Sequence, residues 1–214
     1  MTTPLLDAAP GFDRPIAVLK HCHDRIRKQL ATLEKLLAHL PGAGADAQAQ
    51  QAAAAVIKYF DQGAPLHHAD EEENLIPMLR AVAQGDDAAT LQALAPVILE
   101  QHQQMDATWL QLREHLNAIA AGTDASLSVS VTQQFIEAYT AHMLREESTL
   151  APMAMRLFSP AQMQQLGEAM HMLTASRSIL YLFQLENIIG VANDIDWNPT
   201  PDERLWMFAA KPKK

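Results

Sequence analysis

Two segments of the chain place a glutamate four residues after a histidine: His67 with Glu71, and His142 with Glu146. Residues four apart on a helix stand one turn above each other, so each pair can address a single point. Both segments read His-x-x-x-Glu-Glu, and both carry a proline ten residues after the histidine. The pairs share a stripe with Val56, Phe60, Leu75 and Met78 in one segment and with Val131, Phe135, Leu150 and Met153 in the other. An apolar stripe turns inward, so the imidazoles and carboxylates on it are headed for a core. Two carboxylates meeting there would repel, and one would be driven neutral unless a shared cation offset the desolvation. Metal binding is the chemistry this pattern allows.

The elements that must hold these residues emerge from an internal repeat. A shift of 75 positions lays Val56, Phe60, His67, Glu71, Leu75, Pro77 and Met78 onto Val131, Phe135, His142, Glu146, Leu150, Pro152 and Met153. A shift of 79 lays Leu19, His23, Ile26, Leu30, Leu33 and Leu37 onto Ile98, His102, Met105, Trp109, Leu112 and Leu116. The chain therefore reads as two helical hairpins, each with one isolated histidine and one His-x-x-x-Glu. The difference between the shifts puts four extra residues in the first hairpin, assigned to the linker around Pro41 to Ala47, where insertions are tolerated. The candidate ligands are His23, His67, Glu71, His102, His142 and Glu146.

Neighbouring candidates fail on geometry. His21 and His23 lie about 200° apart on a helix of 3.6 residues per turn, and only His23 has Leu19, Ile26 and Leu30 around it. His68 with Glu72 repeats the spacing one register over, but the duplicate offers Met143 and Glu147, so His68 is assigned to the surface or the entry to the site. His39, His115 and His171 have no repeat partners and are assigned to helix ends or solvated faces. Cys22 reads as a packed thiol, and Tyr59 and Tyr139 as core residues near the metal layer.

Scarce glycine, abundant alanine, leucine, glutamine and methionine, and the lack of strand-like alternation make the fold class all-α, an up-down four-helix bundle with an added C-terminal helix and tail. Its first helix is expected from an Asp13 cap to about Leu40, stopped by Pro41 and Gly42. The second runs from about Ala47 to Ala83, bent near Gly63 and Pro65. A third begins near Ala88 or Pro96 and reaches Ala121, and a fourth covers Leu127 to Leu157. Ser159 and Pro160 open a fifth, reaching about Ala192. The domain reading is an extension over residues 1–12, a bundle over 13–158, the fifth helix over 159–192 and a tail over 193–214 to which no element is assigned.

A net charge of -9 argues against nucleic-acid and anionic-membrane partners, which need a concentrated positive field. One cysteine leaves no internal disulfide, and the first residues lack the pattern of a secretory signal, so a cytoplasmic setting is expected. Four imidazoles and two carboxylates without a thiolate suit iron or manganese better than calcium or magnesium, and exceed what one tetrahedral zinc uses. With both glutamates bridging, two octahedral ions keep positions for a solvent bridge and an external ligand.

Across roughly Asp13 to Leu157 the segments LKHCHDRI, PLHHADEEENLIPML, LEQHQQM and AHMLREESTLAPM resemble the hemerythrin/HHE cation-binding family. The resemblance implies a four-helix bundle with a non-haem centre of two irons and an oxo or hydroxo bridge, reactive toward O2, nitric oxide or peroxide. Oxygen-carrying members have two histidines four apart on the third helix and an aspartate ligand on the fourth. Here Ile98 and Asp106 flank His102 at those spacings, and Glu146 stands in for the aspartate. The ligand set is more similar to the iron-centre repair branch, which implies an alternative role as iron donor to a damaged iron-sulfur client protein. A third reading is a metal-stapled interaction module whose tail binds a partner. A homodimer is compatible with all three.

Overall fold

The computed structural model describes residues 9–189, 195–198 and 209–212, with side chains through Ser176. Four helical rods form the bundle: α1 (Pro15–Ala43), α2 (Ala47–Ala69) continued by α3 (Ile76–Val82), α4 (Gly85–Ala120), and α5 (Val129–Arg145) continued by α6 (Ala151–Leu157). α1 packs on α2, α2 on α4, α4 on α5, and α5 back on α1, which closes the ring. A fifth helix, α7 (Pro160–Ile189), crosses one end against α1 and the turn after α2. A short antiparallel pair, β1 (Ile195–Asn198) with β2 (Ala209–Pro212), follows in the stretch to which the sequence assigns no element. The rest of that tail, and residues 1–8 of the N-terminal extension, lie outside the described residues.

Several ends follow their local chemistry. The Asp46 carboxylate accepts from the Ala49 N–H at 2.9 Å to cap α2, and the Ser128 hydroxyl accepts from Val131 to cap α5. Ser159 caps α7 as the sequence leads one to expect, and Gln162 returns the bond to the Ser159 N–H, which makes a reciprocal box. Other expected ends move. The residue before α1 is Arg14, not Asp13, and no side chain caps it. The Pro41 stop fails: Pro41 lies inside α1, and the helix ends instead at Gly44, whose φ of 67° suits glycine. α4 starts at Gly85, a turn earlier than expected, with Asp86 and Asp87 in the first turn, where the helix dipole favours acids.

Two larger expectations bear on the helices. α2 stays helical through Gly63 and Pro65, and the Tyr59 ring lies 3.0 Å from where a Cβ on Gly63 would be. The irregularity comes later, as widened π turns over Asp70–Leu75 and Glu146–Leu150. Each ends just before a proline, Pro77 or Pro152, which has no N–H for an α-helical bond. Ile76 donates to the Glu71 carbonyl and Ala151 to that of Glu146, both five residues back. The four extra residues of the first hairpin are also not a linker. α1 and α2 are joined by Gly44–Asp46 alone, while the shorter second hairpin has the longer loop, 121–128. The insertion was absorbed as helix.

The core lies in two parts. One, towards the α1–α2 and α4–α5 loops, gathers Leu30, Leu33, Phe60, Trp109, Leu112, Phe135 and Tyr139. The other, beneath α7, gathers Leu19, Leu75, Leu79, Ile98, Leu150, Leu166 and Met170. The His and Glu side chains named from the repeat occupy the layer between them.

Candidate metal centre

Every rod contributes to this layer: His23 from α1, His67 from α2, His102 from α4 and His142 from α5, with Glu71 and Glu146 opening the two π turns. All six are buried, none more than 3% exposed. Their donor atoms form two groups within which all atoms lie less than 4.8 Å apart: His23, His67, Glu71 and Glu146 in one, and His102, His142, Glu71 and Glu146 in the other. Both glutamates belong to both groups, and the oxygens divide accordingly. Oε2 of Glu146 is 3.0 Å from His23 Nε2, while its Oε1 is 2.9 Å from His142 Nε2. Oε1 and Oε2 of Glu71 are each 3.3 Å from His67 Nε2 and His102 Nε2 respectively.

These atoms crowd one another without satisfying one another. His23 Nε2, both nitrogens of His67, Glu71 Oε2 and both oxygens of Glu146 are buried without an aligned hydrogen bond among the described residues. Buried polar atoms normally find partners. Six side chains aimed at two points, with this many atoms unmatched, suit a pair of cations, each taking two imidazoles and one oxygen from each carboxylate.

Burial and mutual charge shift these groups in different directions. Burial, and then the facing charge of Glu146, pushes the Glu71 carboxyl well above its usual range. Burial acts on Glu146 too, but the imidazoles of His142 and His23 outweigh it and hold that carboxyl well below its usual range. The two acids are thus shifted in opposite directions under the same burial: imidazole nitrogens stand at 3.0 and 2.9 Å from Glu146 but at 3.3 Å from Glu71. Burial, with the neighbouring His23, lowers His67 to about 3, and burial together with His142 lowers His102. A neutral imidazole is the form that ligates metal.

A second set of contacts, across the bundle, orients the histidines. His23 Nδ1 donates to Glu147 at 2.9 Å, and His102 Nδ1 donates to Glu72 at 2.6 Å. The two acids are related by the 75-residue shift and the two histidines by the 79-residue shift, so each hairpin braces the lone histidine of the other. Sequence reasoning noticed the Glu-Glu doublets but gave their second members no role; the repeat of the doublet was the available signal. Arg27 in turn holds Glu147 through both oxygens at 2.8 Å. His142 Nδ1 lies 3.3 Å from Gln101, whereas Cys22 takes the related position in the first hairpin and His67 Nδ1 has no such partner among the described residues.

The remaining candidates sort clearly. His68 is corrected: it is not at the surface but 5% exposed, with its ring stacked on that of His102 at 4.0 Å and 7°. Its nitrogen lies within 4.8 Å of nitrogens of His102 and His142. His171 is exposed and edge-on to Phe12, and His39 pairs with Asp46 near the end of α1. His115 is half-buried on α4. The Cys22 thiol is pushed up to about 11 by desolvation, which leaves it protonated and inert. Tyr59 donates to the Cys22 carbonyl at 3.2 Å, and Tyr139 packs among Phe60, Phe135 and His68. Among the described residues no helix is long and apolar enough to cross a membrane.

Residues 14–154 match the family model described as the hemerythrin HHE cation binding domain, a span that takes in all six side chains. A protein of Haemophilus influenzae (strain ATCC 51907 / DSM 11121 / KW20 / Rd), described as an uncharacterized protein, is 26% identical over 136 residues, 64% of this chain and 76% of that one.

Proposed function

The chain belongs to the hemerythrin HHE cation-binding domain family, and from that premise we propose that it holds two iron ions and binds, senses or reduces small oxidants such as O2, nitric oxide or peroxide. In this reading His23 and His67 would hold one ion and His102 and His142 the other, with Glu71 and Glu146 shared between them. One observation carries the reading: the two four-atom donor groups share both glutamates, with the two oxygens of each carboxylate facing different groups. A closed structural site would not leave ligand positions over, and this set leaves them on both ions.

When bound, the pair supplies electrons and an open position for an oxidant. The protein's own part is to hold His67 and His102 neutral by burial, to turn the Nε2 lone pairs of His23 and His102 inward through Glu147 and Glu72, and to set the site between two apolar clusters. Elemental analysis of protein purified from its own host is expected to give about two irons per chain. The reduced, iron-loaded protein is expected to change its visible spectrum on adding O2, nitric oxide or hydrogen peroxide. Iron well below that ratio, or no spectral response to any of the three, overturns the proposal. Ready transfer of iron to a metal-free iron-sulfur protein would favour delivery over oxidant chemistry.

A further inference from the structure

A cavity of about 370 Å³ descends from the surface to the centre. Its floor is His23, Glu71 and Glu146, the face of the donor layer towards α3, α6 and α7. The walls are apolar: Leu19, Leu75 and Leu150, all 5% exposed or less, with half-buried Ile16 above them. Met155, 68% exposed, and Lys20 stand at the rim.

This space is far larger than a diatomic ligand requires. A water molecule's share of liquid volume is about 30 Å³, and an apolar cavity of about 150 Å³ already accepts benzene. Below the rim the walls offer a tail mainly hydrocarbon, and among the described residues the polar lining at depth is the donor layer with Glu147 beside it. A ligand matched to both ends therefore has an apolar body the size of a substituted benzene and one oxygen head that reaches the floor. Of the oxidant classes proposed above, O2 and nitric oxide have no body; only peroxide exists with an organic tail. Lys20 and Glu147 bring opposite charges to the cavity, so it does not select for a charged head.

We propose that the cavity seats an organic hydroperoxide, tail against Ile16, Leu19 and Leu150 and the peroxide group at the floor. This rests on the two-iron reading and names its substrate class. The reaction is ROOH with two ferrous ions and two protons, giving ROH, water and two ferric ions. The O–O bond breaks, the two electrons come from the ferrous pair and the protons come from solvent.

The test uses the full-length, iron-loaded protein with cumene hydroperoxide, hydrogen peroxide and the unreactive alcohol 2-phenyl-2-propanol. Stopped-flow oxidation of the reduced centre gives the rate ratio of cumene hydroperoxide to hydrogen peroxide, and ligand-observed NMR reports binding of the alcohol. Ile16→Trp fills the cavity beneath its mouth, and Met155→Trp does so from an exposed position where folding is not at stake. The expectation is that either variant lowers the ratio at least tenfold and abolishes alcohol binding. An unchanged ratio, or alcohol binding that is absent in the parent protein or unaffected in both variants, overturns the proposal. If hydrogen peroxide also leaves the centre unchanged, the oxidant reading fails, while the alcohol arm still decides whether the cavity takes this class of molecule.

Discussion

Glu147 accepts a hydrogen bond from the Nδ1–H of His23 across the bundle at 2.9 Å. With the proton fixed on Nδ1, the ring must turn its Nε2 lone pair towards the centre, and it becomes a more basic ligand. Glu72 does the same for His102. Neither acid is deeply buried, their side chains being 28% and 39% exposed. They orient ligands without becoming ligands.

Removing either brace should loosen the metal without unfolding the bundle. Glu147→Gln and Glu72→Gln are each expected to lower metal affinity about 10- to 100-fold, read by competition with a chromogenic chelator. Arg27→Ala, which frees Glu147 but leaves it in place, should have a smaller effect in the same direction. An affinity unchanged in all three would leave the braces without a function.

The six ligand candidates could be read from the sequence because duplication removes ambiguity. A lone His-x-x-x-Glu on a helix says little, but His67 and Glu71 recurring as His142 and Glu146, in step with His23 and His102, leaves one consistent inward face. What escaped was anything set by contacts between rods. Glu72 and Glu147 sit one position past the ligand stripe, and only the crossing of the hairpins brings them to the opposite histidine. His68 is turned about 100° from His67 on a helix, yet its side chain is buried against His102 and Tyr139. The π turns escaped because local pattern predicts helix through them, and the extra turn residue shows only in the backbone bonds before Pro77 and Pro152.

The metal-free protein should weaken as acid is added. His67 is held at about 3 and His68 and His102 are also lowered, so below about 6.5 the unfolded chain binds protons that the folded one refuses. Stability from these groups is present above that pH and is lost as pH falls through it. Glu71, raised, works the other way and offsets part of the loss. The chelated protein should therefore show a melting temperature that falls between pH 7 and pH 5, with a shallower fall in His67→Gln. A flat or rising profile would contradict the burial of neutral imidazoles.

Packing beneath α7 offers a test independent of metal. A Cβ on Gly167 of α7 would lie 1.9 Å from the Phe12 carbonyl oxygen, so the segment before α1 rests on bare backbone there. Gly167→Ala must displace that segment. Faster proteolysis near Phe12 is expected, with metal content unchanged; equal proteolysis rates would mean the contact does not hold the segment.

The two bridging acids should separate when neutralised one at a time. Burial and the facing Glu146 push the Glu71 carboxyl well above its usual range, so Glu71→Gln replaces an acid whose charge the site disfavours with a neutral amide of nearly the same shape. Glu146 is held ionised by His142 and His23, so Glu146→Gln removes a charge that its neighbours rely on. In the chelated protein Glu71→Gln should leave the melting temperature unchanged or raise it slightly, because a buried repulsion is relieved. Glu146→Gln should lower it by several degrees, the effect expected of about 1–3 kcal/mol in a chain of this length. With iron present both variants should fall below two ions per chain, since each bridging oxygen serves a different ion. Equal melting temperatures for the two metal-free variants would show that the acids share their proton evenly, against the inequality that His142 and His23 impose on Glu146.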